Sequence, residues 1–161
     1  MEIQTYRDQY RDGIVDVILP IQQHEFNIPI TLEEQPDLLD IPGVYQKGKG
    51  NFWVALAGSE VVGTISLIDL GGGAGALRKM FVKAPFRGKP HGVAGKLLDV
   101  LLDWCREKGV KDVFLGTTDK FLAAHRFYEK NGFSGMAKGD LPSGFPVMAV
   151  DTKFYHYRVT V

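Results

Sequence analysis

The stretch at residues 77–98, LRKMFVKAPFRGKPHGVAGKLL, constrains the fold more than any other part of the chain. Strand-compatible residues run up to Pro85, a loop dense in Arg, Gly, Lys and Pro follows, and a strongly apolar-periodic segment begins at Val93. That order predicts a strand, a glycine-rich turn and a helix. Gly88, Gly92 and Gly95 remove side chains where backbone would approach a ligand, and a helix starting near Gly92 aims its unpaired N–H groups back into the loop. Such a helix start favours anions, and Arg87 and Lys89 add positive charge to it. The competing reading is a tight connection that holds no ligand.

Two phosphate-loop patterns fail here. In the Walker A pattern the glycine-lysine pair is followed by Ser or Thr, but Lys96 is followed by Leu97, and Pro90 stands where the first glycine is needed. The dinucleotide pattern GxGxxG fails on the glycine spacing of 88, 92 and 95 and on the absence of an acidic residue at the ribose distance. The stretch resembles instead the (Q/R)xxGx(G/A) loop of the GCN5-related N-acetyltransferases. Gly92-Val93-Ala94 places Lys89 in the Q/R position, while Arg87-Gly88-Lys89 looks like that family's RGK opening. Pro90 and His91 read as a short insertion between the two registers.

With 161 residues, 45% hydrophobic and 24% charged, the chain suits one domain over 1–161 with a sizeable core. Basic and acidic residues balance at 19 each, so no global field draws the protein to nucleic acid or an acidic membrane, and any anion binding is local. The lone cysteine, Cys105, excludes an internal disulfide and suits a reducing cytoplasm. The start, MEIQTYRDQY, is too polar for a signal peptide, and no apolar run approaches the roughly 18 residues of a membrane span. These features predict a cytoplasmic protein without membrane or nucleic-acid partners; a homodimer stays open.

Residues 3–6 alternate like a first strand, and residues 10–26 carry a helical apolar stripe broken at Pro20. Residues 27–50 form a Pro/Gly-rich excursion with a short helix expected at 33–39, either lining a binding site or wrapping the surface. A β-hairpin is expected from 52–56 and 61–68, a reversal at 71–75 and a third antiparallel strand at 76–83. The helix from Val93 has a broad apolar face and ends at Gly109. The strand at 112–117, reached by a helical crossover, lies parallel to the strand before the loop. Asp119 is expected to cap a helix at 120–130, Asn131-Gly132 to stop it, and residues 147–159 to form the last strand.

Residues 117–133, TTDKFLAAHRFYEKNGF, resemble the second motif of the same family through Ala124, Phe127, Tyr128, Gly132 and Phe133. The resemblance implies the acyl-CoA N-acyltransferase fold, an α/β architecture with a mixed, mostly antiparallel sheet splayed at its centre and flanked by helices. It implies acetyl-CoA as cofactor, with the backbone of Met80, Phe81 and Val82 along the pantetheine arm and the amides of residues 88–95, from Gly88 and Lys89 to Val93, Ala94 and Gly95, on the pyrophosphate. Tyr128 would be the general acid for the departing thiolate, since a phenol with a pKa of about 10 keeps its proton at pH 7. Phe121 stands where the family often has Asn, so packing replaces a hydrogen bond to the cofactor.

The implied reaction is acetyl transfer to a primary amine of a small molecule or peptide by direct attack. The amine needs help, because at a pKa near 10.4 only about 1 molecule in 2,500 is neutral at pH 7. The strand before the loop carries no acid at 75–78. Candidates for the base or for acceptor contacts are His24, Glu25, Glu33, Glu34 and Asp69. The rival readings are a CoA-binding module without catalysis and an acyltransferase acting on an alcohol or thiol. His24, His91, His125 and His156 lack metal-ligand spacing, so no metal is expected. Cys105, on the apolar helix face, is a poor nucleophile.

Overall fold

A computed structural model describes residues 1–160. In chain order the elements are β1 (Glu2–Thr5), α1 (Arg11–Pro20), α2 (Ile41–Val44), β2 (Asn51–Ala57), β3 (Glu60–Gly71), β4 (Ala74–Val82), α3 (Val93–Lys108), β5 (Asp112–Thr117), α4 (Leu122–Lys130), β6 (Ser134–Met136) and β7 (Lys153–Arg158). The strands form one sheet in the order β1-β2-β3-β4-β5-β7-β6. Every neighbouring pair is antiparallel except β4 and β5, which α3 joins as a crossover.

The sheet is covered on both faces, and β2 shows why. Its Trp53 and Ala55 pack with α3 through Leu97, Leu98 and Leu101, while Phe52, Val54 and Leu56 pack with Ile14, Val17 and Ile18 of α1. Alternation of side chains across a strand requires apolar residues at every position when both faces are buried. Gly109 closes α3 in the left-handed region at φ 77°, and the next turn returns the chain to β5.

The sheet opens between its two parallel strands. Their ladder covers only Ala74↔Asp112 to Ala76↔Phe114. Beyond it, β4 stays with β3 and β5 stays with β7 out to Thr117↔Lys153, so the strands part company. A second irregularity lies on β4 itself. The register against β3 shifts between Thr64 and Ser66, and Lys79 takes φ 53°, the signature of a β-bulge.

The first helix breaks at Pro20 as expected, and a wider helical turn closed by Phe26 N–H on Ile21 O follows. Several other expectations need correction. The helix expected at 33–39 is one short turn, Pro36–Leu39. Asp119 does not cap α4; Phe121 N–H closes a turn on Thr118 O, and the helix begins at Leu122. The last strand is Lys153–Arg158, because Asp151 N–H bonds Met148 O and folds 148–151 into a turn. The edge strand β6 was not foreseen. Among the described residues no helix is long and apolar enough to cross a membrane.

Candidate active site

The loop between β4 and α3 carries backbone donors that its own helix leaves free. Gly92 N–H is used by Gly88 O at 2.9 Å, and the first bond into the helix runs from Lys96 N–H to Gly92 O at 3.1 Å. Val93, Ala94 and Gly95 N–H therefore have no partner among the described residues; within the expected 88–95 cradle only Gly92 N–H is taken, and Pro90 has none to give. Gly88 (φ 66°) and Gly92 (φ 58°) are left-handed, and a Cβ on either, or on Gly95, would meet nothing within 4 Å. The space in front of the helix start is open. Arg87, Gly88, Lys89 and Pro90 are exposed, and the His91 ring packs on Phe86 at 5.3 Å between centroids. Arg87 is not free to roam: its Nε donates to Val82 O at 2.8 Å and its guanidinium forms a two-point pair with Glu25.

Backbone parity sorts the residues expected along the pantetheine arm. Lys83 N–H bonds Val62 O, so in the ladder Gly63↔Val82, Thr64↔Phe81 it is Phe81 whose polar groups face β3. Val82 and, by alternation, Met80 turn theirs toward the gap, and Val82 O is already taken by Arg87. Phe81 contributes its ring instead. It stands at 6.3 Å from Phe121, which in turn meets Phe26 edge-on at 4.6 Å.

Two cavities flank this strip of β4. The larger, about 460 Å³, lies between β4 and α4 and is mostly apolar, with Arg87 and Lys120 as its charged wall residues. The smaller, about 120 Å³, lies where β4 and β5 diverge and is the more polar of the two, with Arg78, Lys79 and Asp151 in its wall. Met80, Phe81, Phe121, Ala124 and Tyr128 belong to both. The Tyr128 hydroxyl donates to Met80 Sδ at 3.6 Å, and burial pushes its pKa above the usual value for a phenol, so the group stays protonated.

The acids and histidine expected near the acceptor lie elsewhere. Glu25 is held by Arg87, whose hydrogen bond lowers its pKa. Glu34 accepts from Thr31 N–H and Oγ1, and Asp69 accepts from Lys49 N–H and Gly71 N–H, which lower its pKa. His24 and Glu33 are exposed, and none of these five residues lines either cavity. The excursion does reach the smaller cavity, through Ile28 and Ile30. Cys105 is fully buried with its thiol pushed up to about 12, which suits the expectation of an inert side chain.

Sequence reasoning missed Arg78, Lys79 and Asp151. For the first two a signal existed: adjacent charges inside the apolar run ALRKMFV break strand alternation and mark a bulge. Nothing in the 139–152 loop singled out Asp151.

An open α/β sheet, splayed between two parallel strands beside a glycine-rich helix start, defines the acyl-CoA N-acyltransferase fold. The model of the Acetyltransferase (GNAT) family matches residues 15–133, and the chain belongs to that family. It is 32% identical over 132 residues to the N-acetylaspartate synthetase of Danio rerio, a match covering 76% of this chain and 46% of that protein. The chain thus spans about half the length of the curated relatives it matches. A GNAT acetyltransferase structure from Staphylococcus aureus Mu50 superposes with a TM-score of 0.94 at 41% identity, covering 99% of each chain. The N-acetylglutamate synthase of Neisseria gonorrhoeae, solved with coenzyme A and N-acetyl-glutamate, shares the fold at 14% identity, with a TM-score of 0.76 over 99% of this chain and 35% of that one.

Proposed function

We propose that the chain transfers the acetyl group of acetyl-CoA to the primary amine of a small molecule or peptide, by direct attack and without a covalent enzyme intermediate. The observation that carries this reading is the three unpaired amides of Val93, Ala94 and Gly95, set beside an apolar cavity whose far wall holds the Tyr128 hydroxyl. Those residues fit the cofactor: the amides and the helix dipole suit phosphate oxygens, and the cavity's apolar walls suit a thin aliphatic arm. When bound, acetyl-CoA supplies an activated thioester carbonyl.

The chain's own groups supply the rest. Val82 N–H and the main chain of Met80 orient the arm along the open side of β4. The rings of Phe26, Phe81 and Phe121 keep water from the reacting centre. Tyr128 holds a proton for the departing sulfur. The buried Cys105 is no candidate for a covalent relay, which supports direct attack. The relative named N-acetylaspartate synthetase supports a small-molecule acceptor, and the lone thiol supports a cytoplasmic setting.

The test is a titration of acetyl-CoA by calorimetry followed by CoA release with a panel of amines. Binding with release and an acetamide product, identified by mass, supports the reading. Binding without release from any amine would leave a CoA-binding module, and an ester or thioester product would move the chemistry to an alcohol or thiol.

A further inference from the structure

The smaller cavity contains charge that transfer to a plain amine does not need. In a regular strand Arg78 and Lys79 would point to opposite faces, but the bulge at Lys79 lets both line the same cavity. Lys79 is spoken for. Its Nζ is buried, donates to Gln35 Oε1 at 2.5 Å and pairs with Asp37 at 3.5 Å, and Asp37 also accepts from the Tyr45 hydroxyl at 2.5 Å. Arg78 is not: among the described residues no carboxylate lies within 4.0 Å of its guanidinium, and its one side-chain partner is Met148 Sδ, a weak acceptor, at 3.0 Å.

Asp151 is the opposite number of Arg78. One carboxylate oxygen, Oδ2, accepts from Met148 N–H at 2.9 Å; Oδ1 has no hydrogen-bond partner among the described residues, and the group forms no ion pair. The side chain is fixed over β5, where a Cβ on Gly116 would come within 2.7 Å of Oδ2. Thr152 N–H, bonded to Thr117 O at 2.9 Å, bolts the turn to the same strand. One small cavity thus holds an uncommitted guanidinium and an uncommitted carboxylate that do not pair with each other. A ligand that satisfies both carries the complementary charges: an ammonium and a carboxylate.

We propose that this cavity takes a free amino acid as acceptor, with Arg78 binding its carboxylate and Asp151 binding its ammonium and accepting a proton from it. The inference rests on the acetyl-transfer reading above. The ammonium gives one proton to Asp151, and the freed lone pair forms the C–N bond as the C–S bond breaks. Tyr128 then protonates the sulfur and recovers a proton from the same nitrogen, leaving one hydrogen on the amide. Asp151 passes its proton to water, so the net products are the N-acetyl amino acid, CoA and one proton. The charged groups facing Asp151 are Arg78 and Lys79 from β4 and Lys138 from the turn after β6. They pull its pKa down, but burial outweighs them and raises it, which makes the carboxylate a better proton acceptor than an exposed one.

Two measurements test this. Calorimetry with L-alanine, L-aspartate and L-glutamate, on the protein without acetyl-CoA, should detect binding of at least one, weakened tenfold or more in Arg78→Gln. Kinetics with acetyl-CoA should show kcat/KM for that amino acid at least 100-fold above ethylamine and spermidine. Arg78→Gln should raise KM while acetyl-CoA affinity stays unchanged. Asp151→Asn, close to isosteric and checked for an unchanged melting temperature, should lower kcat 100-fold or more and remove the acid-side fall of the kcat/KM profile. An enzyme that acetylates ethylamine or spermidine as well as any amino acid, or an Arg78→Gln variant that binds and turns over amino acids normally, overturns the proposal and leaves acetyl transfer standing. Failure of acetyl-CoA itself to bind overturns the acetyl-transfer reading and the proton step with it, and the calorimetric arm reports the amino-acid site separately.

Discussion

Burial holds the Tyr128 hydroxyl protonated, so Tyr128→Phe removes one proton and keeps the ring in its contacts with Phe133 and Tyr155. Turnover should fall roughly 10²- to 10⁴-fold with acetyl-CoA affinity little changed, and a turnover within about threefold of the parent would take Tyr128 out of the mechanism. Lys79 makes a different prediction. Burial brings its amine down to about 8, well under its ordinary value near ~10.4. Below pH 8 the folded and unfolded chains both carry the proton; between about 8 and 10 only the unfolded chain keeps it, so raising the pH through that window favours folding by roughly 1 to 2 kcal/mol. Above about 10 the trend reverses, because Tyr45 and Tyr128 hold their protons only when folded. Melting curves from pH 7.5 to 9.5 should show a rise for the parent that Lys79→Met lacks. Tyr128 was legible because its helix repeats a recognisable spacing from Ala124 to Phe133. Arg78 and Lys79 were not assigned a place: their adjacency in ALRKMFV signals a bulge, but what they face is set only by pairing with β3.

At the scale of elements, the join of β4 to α3 is where sequence and structure agree best, because glycines and helical periodicity are local properties. Gly92 sits at φ 58° in the residue before the helix, with open space where a side chain would project. Gly92→Asp should therefore leave the fold intact while placing a carboxylate before the three free amides, and acetyl-CoA affinity measured by calorimetry should drop tenfold or more. Gly92→Asn, which tolerates the same backbone without the charge, should retain most of the binding; equal losses in both variants would point to backbone strain rather than charge. Other elements were read less well, for physical reasons. Ser134–Met136 has three residues and no periodicity, and it is a strand only because β7 offers an edge. Val147 to Val150 is apolar enough to suggest a strand, yet the Asp151 side chain bonds Met148 N–H and turns the chain. Asp119 had the right chemistry for a cap, but its N–H is drawn to Thr152 Oγ1 at 3.0 Å and the helix starts later.

For the whole molecule, a ligand spanning α3, β4 and α4 ties the two sides of the splayed sheet together. Acetyl-CoA at about 100 times its dissociation constant should add roughly 2.7 kcal/mol to stability, with ATP and NAD at the same concentration adding much less; equal shifts from all three would reduce the loop to a generic anion site. The overall architecture was legible from the order of its strands and its single crossover, whereas the smaller cavity is assembled from residues as far apart as Gln22 and Asp151, which no local pattern joins. That the two cavities meet only along a common wall of Met80, Phe81, Phe121, Ala124 and Tyr128 sets how the reaction must look to a kineticist. On the proposed reading acetyl-CoA and the acceptor occupy separate cavities and neither has to leave before the other arrives, so initial rates plotted reciprocally at several fixed acceptor concentrations should give intersecting lines; parallel lines would mean that the acetyl group waits on the protein between two separate visits.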